Sequence, residues 1–333
     1  MLQVVNADDL RVDQVAAAVE WLVPDAAPVR PRTALRKGRS HASWVFDSTR
    51  GVLVGKVAMT SHTDAIVRRL AEHRRVWEHG VPVPRLLDFT ASSDLVGGRL
   101  LIVSEYLPGH DAEDALRSQR PRSMEHVMVE TGAALARLHR VPVTVFGDAI
   151  TGLGAGSDSW SATVASRIEL LARAYHDQEN TGNGSDADLM AAGLLLLGQL
   201  ADAVSPAVRP AVTHLDVYLP NILVDSEGGF RALLDLEHLR WVDPVMDFVK
   251  PAMWMFGKRP RWAEAFVDGY RSAGELPQRW SERLATVSGL ELLTGVDYWT
   301  RANDYSMRDD YARRLREWVR SDGAHHGWPS AVT

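Results

Sequence analysis

The chain changes its hydrophobic rhythm several times, and each change predicts a change of structure. Residues 10–22 place Val15, Val19 and Leu22 on one helical face and stop at Pro24. From Leu35 to Lys56 the pattern becomes strand-like. Ala42–Phe46 and Val52–Val57 read as strands, preceded by a turn over Arg36–His41. Asp64–His79 is helical again until Gly80-Val81-Pro82-Val83-Pro84 ends it. Strands over Arg85–Phe89 and Arg99–Tyr106 follow, the second broken by Leu107-Pro108-Gly109. After that the period is helical: Met124–His139, a helix carrying Trp160, Val164, Ile168, Leu171 and Tyr175, then Leu189–Val204. The helices resume with the Trp262, Phe266 and Tyr270 spacing, Leu290–Thr300 and Tyr311–Arg320. Ala211–Lys250 interrupts them with a hairpin: strand Ile222–Val224, a turn at Ser226–Gly229, and a return strand over Ala232–Leu234. The pattern predicts an α+β fold of two lobes. Residues 1–103 form a small β-rich lobe, 104–110 the connection, and 111–333 a larger, mainly helical lobe.

Composition narrows the function classes. A chain of 333 residues can bury two cores, and 46% hydrophobic with 24% charged residues is ordinary globular usage. The net charge of −6 argues against nonspecific nucleic-acid binding and favours a cationic ligand. With no cysteine, disulfides, thiolate catalysis and cysteine-bound zinc are excluded, which fits a cytoplasmic protein. The N-terminal MLQVVNADDLRVDQ has no basic start followed by an apolar block. The apolar run Ala191–Leu200 is too short to span a bilayer, so no membrane segment is expected.

The hairpin carries the chemistry. It brings the end holding Asp216 and Asn221 to the same sheet edge as Asp235. Phosphoryl transfer needs a carboxylate to orient an acceptor hydroxyl and hard oxygen ligands for Mg²⁺. Asp216 suits the first task, and Asn221 with Asp235 the second. A plain hairpin would explain Asp225 and Ser226 as turn formers, but not an acid after the apolar Ala232-Leu233-Leu234. His214 projects on the same side as Asp216 and suits a structural hydrogen bond. Asp247, after Asp243-Pro244, suits a helix N-cap or loop anchor. Lys56 in an apolar strand is either an edge-strand lysine or a phosphate contact held by Glu72 of the next helix. Gly38 and Ser40 belong either to an ordinary hairpin or to a turn that lays N–H groups on phosphate. Ser104, Glu105, Tyr106 and Leu107 offer backbone groups suited to an adenine edge.

Taken in order, these pieces resemble the aminoglycoside phosphotransferase family, whose fold is similar to that of protein kinases. The resemblance rests on His214-x-Asp216-x4-Asn221, Leu234-Asp235-x-Glu237 and Asp243-Pro244-x2-Asp247-Phe248. Gly38–Trp44, Lys56, Gly80–Pro84, Ser104–Gly109 and Gly132–His139 stand where that family has its nucleotide loop, phosphate lysine, helix exit, hinge and Leu-Ala-x-Leu-His helix. Phe146-Gly147 followed by Trp160 is similar to its hygromycin-type branch. The resemblance implies Asp216 as catalytic base, Asn221 and Asp235 as Mg²⁺ ligands, and Lys56 as the ATP phosphate contact with Glu72 as its partner. It also implies that residues 1–103 bind nucleotide and that the helical lobe carries catalysis and the acceptor. Leu215 stands where the family commonly has Gly, and Tyr218 where it has His.

The expected function is an ATP-dependent kinase, with GTP an open alternative, that phosphorylates a hydroxyl of a small cationic antibiotic. Glu237, Asp148, Asp158, Asp297 and Asp304 are candidate acids for the acceptor site, each equally explicable as solvated surface. The alternatives are a kinase of a macrolide or cyclic peptide, or of an amino sugar or choline-like alcohol. A nucleotide-binding pseudokinase is a further class, against which the retained Lys56, Asp216, Asn221 and Asp235 count.

Overall fold

The computed structural model describes residues 10–35, 41–59, 64–118, 124–147, 156–180, 187–257, 259–324 and 328. In chain order the first elements are α1 (Val12–Leu22), β1 (Arg30–Ala34), β2 (His41–Ser48), β3 (Gly51–Ala58) and α2 (Asp64–Glu78). Then come β4 (Leu86–Ser93), β5 (Arg99–Glu105), β6 (His110–Asp111), α3 (Ala112–Arg117) and α4 (Met124–His139). The chain continues through α5 (Trp160–Asn180), α6 (Ala187–Val204), β7 (Ala211–Thr213), β8 (Ile222–Val224), β9 (Phe230–Leu233) and β10 (Arg240–Val242). It ends with α7 (Val249–Pro251), which runs into a π-helical turn Ala252–Phe256, then α8 (Pro260–Ala273), α9 (Trp280–Arg301) and α10 (Tyr305–Arg320). Two compact units result: Met1–Pro121 with Pro220–Leu239, and Arg122–Leu219 with Arg240–Thr333.

In the first unit an antiparallel sheet of order β1-β2-β3-β5-β4 has its central strands buried on both faces, while β1 is exposed. The period-2 alternation of β5 separates the faces. Leu101 and Val103 join Phe46, Leu53 and Val57 under Val15, Ala18 and Val19 of α1. Leu100 and Ile102 join Ala58, Leu86 and Leu70 of α2. Lys56 is paired with Ile102 in the β3–β5 register and alternates with Leu53 and Val57, so it belongs to the α2 face. A second small sheet, β6-β8-β9, carries the hairpin expected around residue 226. Its turn is closed by Asp225, whose Oδ1 accepts from Glu227 N (2.8 Å) and Gly229 N (2.9 Å).

The second unit is mainly helical. Helices α4 and α8 approach so closely that a Cβ on Gly132 would lie 2.0 Å from Phe266 O, and one on Gly269 would lie 1.8 Å from Val129 O. Two facing glycines therefore set this crossing. Phe248 fills the centre of the unit with Phe266, Tyr270, Trp280 and Trp328 packed around it. The aromatic spacing of α5 is a core feature as expected: Trp160, Val164, Leu171 and Tyr175 are buried.

The hydrophobic pattern starts one helix at Leu290, whereas α9 starts at Trp280. The difference arises because Arg283, which looks like a surface residue, is 2% exposed and binds the Asp243 carboxylate through Nε (3.0 Å) and Nη2. The segment 187–207 is long and apolar enough by length and composition to cross a membrane, more than the short run Ala191–Leu200 indicates. Met190, Gly193, Leu197, Ala201 and Val204 of α6 are buried in the helical unit.

Candidate active site

The loop carrying Asp216 is built by the second unit. Strand β7 pairs with β10 through Val212↔Trp241 and its neighbours, which delivers the chain to His214. There the fully buried Asp247 accepts backbone N–H bonds from His214 (2.8 Å, to Oδ2) and Leu215 (2.5 Å, to Oδ1). Leu215 has φ 65°, the left-handed region that costs an L-residue with a Cβ roughly 1–2 kcal/mol. This accounts for the glycine the sequence resemblance expects at the position. Here the carboxylate of Asp247 holds a leucine in the same conformation.

Asp247 is fixed in turn. His139 at the C-terminus of α4 reaches Asp247 Oδ2 through Nε2 (2.9 Å), and its Nδ1 meets the Tyr270 hydroxyl (2.8 Å). With the proton on Nε2, Nδ1 accepts from Tyr270. Burial pushes the Tyr270 hydroxyl pKa up, with the Asp247 charge adding to the shift, so the phenol stays a donor. Asp247 thus anchors the loop, and the N-cap role falls to Asp243, whose Oδ1 accepts from Val245 N (2.8 Å). His214 is fully buried and its Nδ1 accepts from Asp216 N (3.3 Å).

The Asp216 carboxylate meets a residue that no sequence motif singled out. Lys250 Nζ donates to Asp216 Oδ1 at 2.5 Å. Burial works to lower the Lys250 pKa, but Glu291 and Asp216 outweigh it and raise it, so the side chain is an ammonium ion. Lys250 lies three residues after Asp247, one helical turn on, and that spacing was the available signal.

The first unit assembles the other candidates. Asn221 and Asp235 stand at the open end of the β8–β9 hairpin, where Leu234 N donates to Asn221 O (2.9 Å). Leu233 N is tied to Pro82 O (2.9 Å), so the Gly80–Pro84 exit from α2 braces the same strand. Asp235 has φ 64° and begins a 3-10 turn over Leu236–His238.

Lys56 Nζ lies 3.3 Å from Asp235 Oδ1 and 3.4 Å from Glu237 Oε1. The partner expected for it, Glu72, instead lies 2.9 Å from Arg75 on its own helix. Glu237, expected as an acid for the acceptor, is buried against Lys56 and against His41 Nδ1 (3.0 Å). Arg69 of α2 donates to Glu237 O (2.6 Å), which seats this turn on the α2 face of the sheet. Burial alone would raise the Glu237 pKa, but Lys56 and His41 drive it far below the usual carboxylate range. Lys56 is correspondingly raised by the two carboxylates against the desolvation that opposes them.

The remaining expectations separate cleanly. Ser104 is buried in β5 opposite Val54. Glu105 N donates to Arg85 O (2.9 Å), and Tyr106 N donates to Val52 O (3.0 Å). Both N–H groups are therefore engaged with strands of their own unit, and Leu107 follows directly. Asp297 is held by Arg301 Nε (3.1 Å) and Gln178 (2.9 Å), and Asp304 caps α10 by accepting from Met307 N (3.2 Å). Asp158 is exposed, while Gly38, Ser40 and Asp148 lie outside the described residues.

The profile of the phosphotransferase enzyme family matches residues 32–282, which is most of the chain. The protein belongs to that family. Among solved structures, it is similar to a macrolide 2'-phosphotransferase type I at 16% identity, with a TM-score of 0.60 over 94% of this chain and 98% of that one. The streptomycin–ATP–APH(2")-IIa ternary complex matches at 14% identity and TM-score 0.61, over 94% and 97%. Spectinomycin phosphotransferase APH(9)-Ia, in complex with ADP and spectinomycin, matches at 12% identity and TM-score 0.58, over 94% and 99%. At these identities the likeness speaks for the fold, an antiparallel β-rich part followed by a helical part. No curated protein sequence matches the chain. As a member of the phosphotransferase family, the chain is an enzyme. Its residues Arg283, Glu291 and Tyr311 lie beyond the matched segment.

Proposed function

We propose that this phosphotransferase moves the γ-phosphoryl group of ATP to a hydroxyl of a small amine-bearing antibiotic. The observation that carries the reading is the ion pair of Lys56 with Asp235, on the hairpin whose other end carries Asn221. Lys56, the only described lysine of the β-sheet, lies 3.3 Å from the Asp235 carboxylate, and Asn221 O accepts from Leu234 N at the same end of the hairpin. The donor set suits Mg²⁺, which takes hard oxygen ligands, and Asn221 with Asp235 would hold it. The ion would neutralise charge on the nucleotide phosphates. Lys56 then contacts phosphate, tethered by Glu237 in the role expected of Glu72. Asp216 orients the acceptor hydroxyl and takes its proton, in a loop fixed by Asp247 and His139. With the N–H groups of Glu105 and Tyr106 engaged, the adenine edge is met by other backbone groups of Ser104–Leu107.

A second acceptor class has its own support. A polycation calls for several available carboxylates, yet Glu237, Asp297 and Asp304 are each engaged by partners within the protein. Trp254 and Tyr298 of the helical unit are instead 38% and 47% exposed, next to Tyr311 and Trp299 respectively. Exposed rings of this kind suit an acceptor with a large apolar body and few charges, a macrolide or cyclic peptide, which is the second reading.

The test is ADP release from Mg·ATP across aminoglycosides, hygromycin, macrolides and cyclic peptides, with the phosphate located on the product by NMR. Activity with one drug class, lost by about 10²-fold or more in Asp216→Asn while ATP binding survives, supports the assignment. Near-normal turnover in that variant removes Asp216 from the base role. If no drug drives ADP release, an amino-sugar or choline-like alcohol becomes the acceptor to pursue.

A further inference from the structure

We infer that Lys250 is a positioning residue for the Asp216 carboxylate, and that the helices beyond the family-matched segment hold it there through Glu291 and Tyr311. The inference rests on the reading of Asp216 as the base. Its starting point is the 2.5 Å bond from Lys250 Nζ to Asp216 Oδ1, in which the two side chains are only 25% and 17% exposed. A carboxylate has two equivalent oxygens and two rotatable bonds. An ammonium ion on one oxygen removes that freedom and presents the other oxygen in a fixed direction.

The same turn of chain acts twice on this loop. Asp247 takes the backbone N–H groups of His214 and Leu215, and Lys250, one helical turn later, takes the side chain of Asp216. Backbone and side chain are therefore set by one short segment that starts at the Asp243 cap. In phosphoryl transfer little proton transfer is needed at the transition state, so alignment of the acceptor oxygen matters more than basicity. An ion pair that fixes the carboxylate serves that requirement even though it makes the carboxylate a weaker base.

Lys250 is itself located from the other side. The short helix α7 that carries Lys250 packs against α9, Glu291 of α9 raises the Lys250 pKa, and Glu291 Oε1 accepts from the Tyr311 hydroxyl of α10 (3.2 Å). The Tyr311 ring lies flush on Gly295, where a Cβ would come within 2.0 Å of it. The order of packing is thus α10 to α9 to α7, whose Lys250 reaches Asp216. The Lys250 ammonium offsets the charges of both Asp216 and Glu291, so removing it leaves two like charges uncompensated in a poorly solvated place. Tyr218 and Arg240 also act on this cluster, and His214 lies on the backbone side of Asp216.

The experiment is a set of variants: Lys250→Met, Lys250→Arg, Glu291→Gln, the double variant Lys250→Met/Glu291→Gln, and Asp216→Asn in parallel. The readouts are kcat and KM for Mg·ATP, scored by ADP release with water as acceptor and again with the drug that responds in the panel. Lys250→Met is expected to lower kcat about 10- to 100-fold with KM for ATP changed less than about threefold. Lys250→Arg should recover most of the loss, and Glu291→Gln in the Lys250→Met background should recover part of it. Unchanged kcat in Lys250→Met overturns the inference, as does strict additivity with Glu291→Gln. If Lys250→Met fails to fold, Lys250→Arg and the double variant decide on the same criteria. The reading beneath it is judged separately. Loss in Asp216→Asn without loss in Lys250→Met sinks only the Lys250 role, whereas normal turnover in Asp216→Asn sinks the base assignment.

Discussion

Asp247 accepts the backbone N–H of Leu215 at 2.5 Å and so holds a leucine at φ 65°, a conformation better suited to glycine. The loop before Asp216 is thus kept in place by a carboxylate 32 residues further along the chain. Asp247→Ala should cost about 3 kcal/mol or more, because it leaves two N–H groups and one face of His139 without their acceptor. Urea unfolding measures this directly. A loss below about 1 kcal/mol would mean that the loop has another anchor.

The complementary change acts on the strain. Leu215→Gly should stabilise the fold by up to about 1 kcal/mol, since relief of the left-handed cost exceeds glycine's extra chain entropy. A raised denaturation midpoint with unchanged kcat is the expected result. A lowered midpoint would show that the Leu215 side chain contributes packing that outweighs its backbone strain.

Lys56 offers a choice between two glutamates. Glu237→Gln should raise KM for ATP about tenfold, whereas Glu72→Gln should leave it within about twofold. Initial rates over a range of Mg·ATP concentrations decide between them. The reverse ranking would restore Glu72 as the tether in the nucleotide-bound enzyme.

Much of this was readable before any coordinates. The longer strands and helices follow from period, except that α9 begins at Trp280, ahead of its apolar pattern, and Asp216, Asn221 and Asp235 stand out by residue type and spacing. A helix that faces a strand presents several residues, and sequence does not say which acid reaches Lys56. Glu237 won that place because it sits on a 3-10 turn after Asp235, carried by the hairpin to the α2 face. Arg283 and Glu291 were illegible for a different reason. A charged residue on an amphipathic helix looks solvated until its partner, here Asp243 or Lys250, is brought up from a distant part of the chain.

Stability should respond to pH through Glu291. Burial, the largest influence, raises its pKa above 4.5, and the Lys250 ammonium only partly offsets it. A raised carboxyl pKa means that the folded state binds the proton more tightly. This group's stabilising contribution is therefore present below about pH 4.5 and lost as pH rises through the folded value. Lys250, raised above 10.5, contributes evenly below that value and loses its contribution only in more alkaline solution. Between pH 4 and 8 the urea midpoint of the wild type should thus fall relative to Glu291→Gln. Parallel curves would show that Glu291 titrates normally.

The helix crossing gives a purely structural prediction. Gly269→Ala must place a methyl group 1.8 Å from Val129 O, so α4 and α8 must separate or bend. A loss of about 2 kcal/mol or more is expected. The same displacement would move His139 away from Tyr270, so kcat should fall alongside the melting temperature.

The discontinuity of the first unit bears on how the chain is made. Strands β8 and β9 belong with the β-rich unit, yet they are encoded after α4, α5 and α6 of the helical one. Domains ordinarily fold in the order they leave the ribosome. Here the nascent β-rich unit must wait, lacking two of the three strands of its second sheet, until translation passes Leu239. A fragment that stops at Pro121 omits Asn221, Asp235 and Glu237, so the carboxylates that neutralise Lys56 arrive only with the second half of the message.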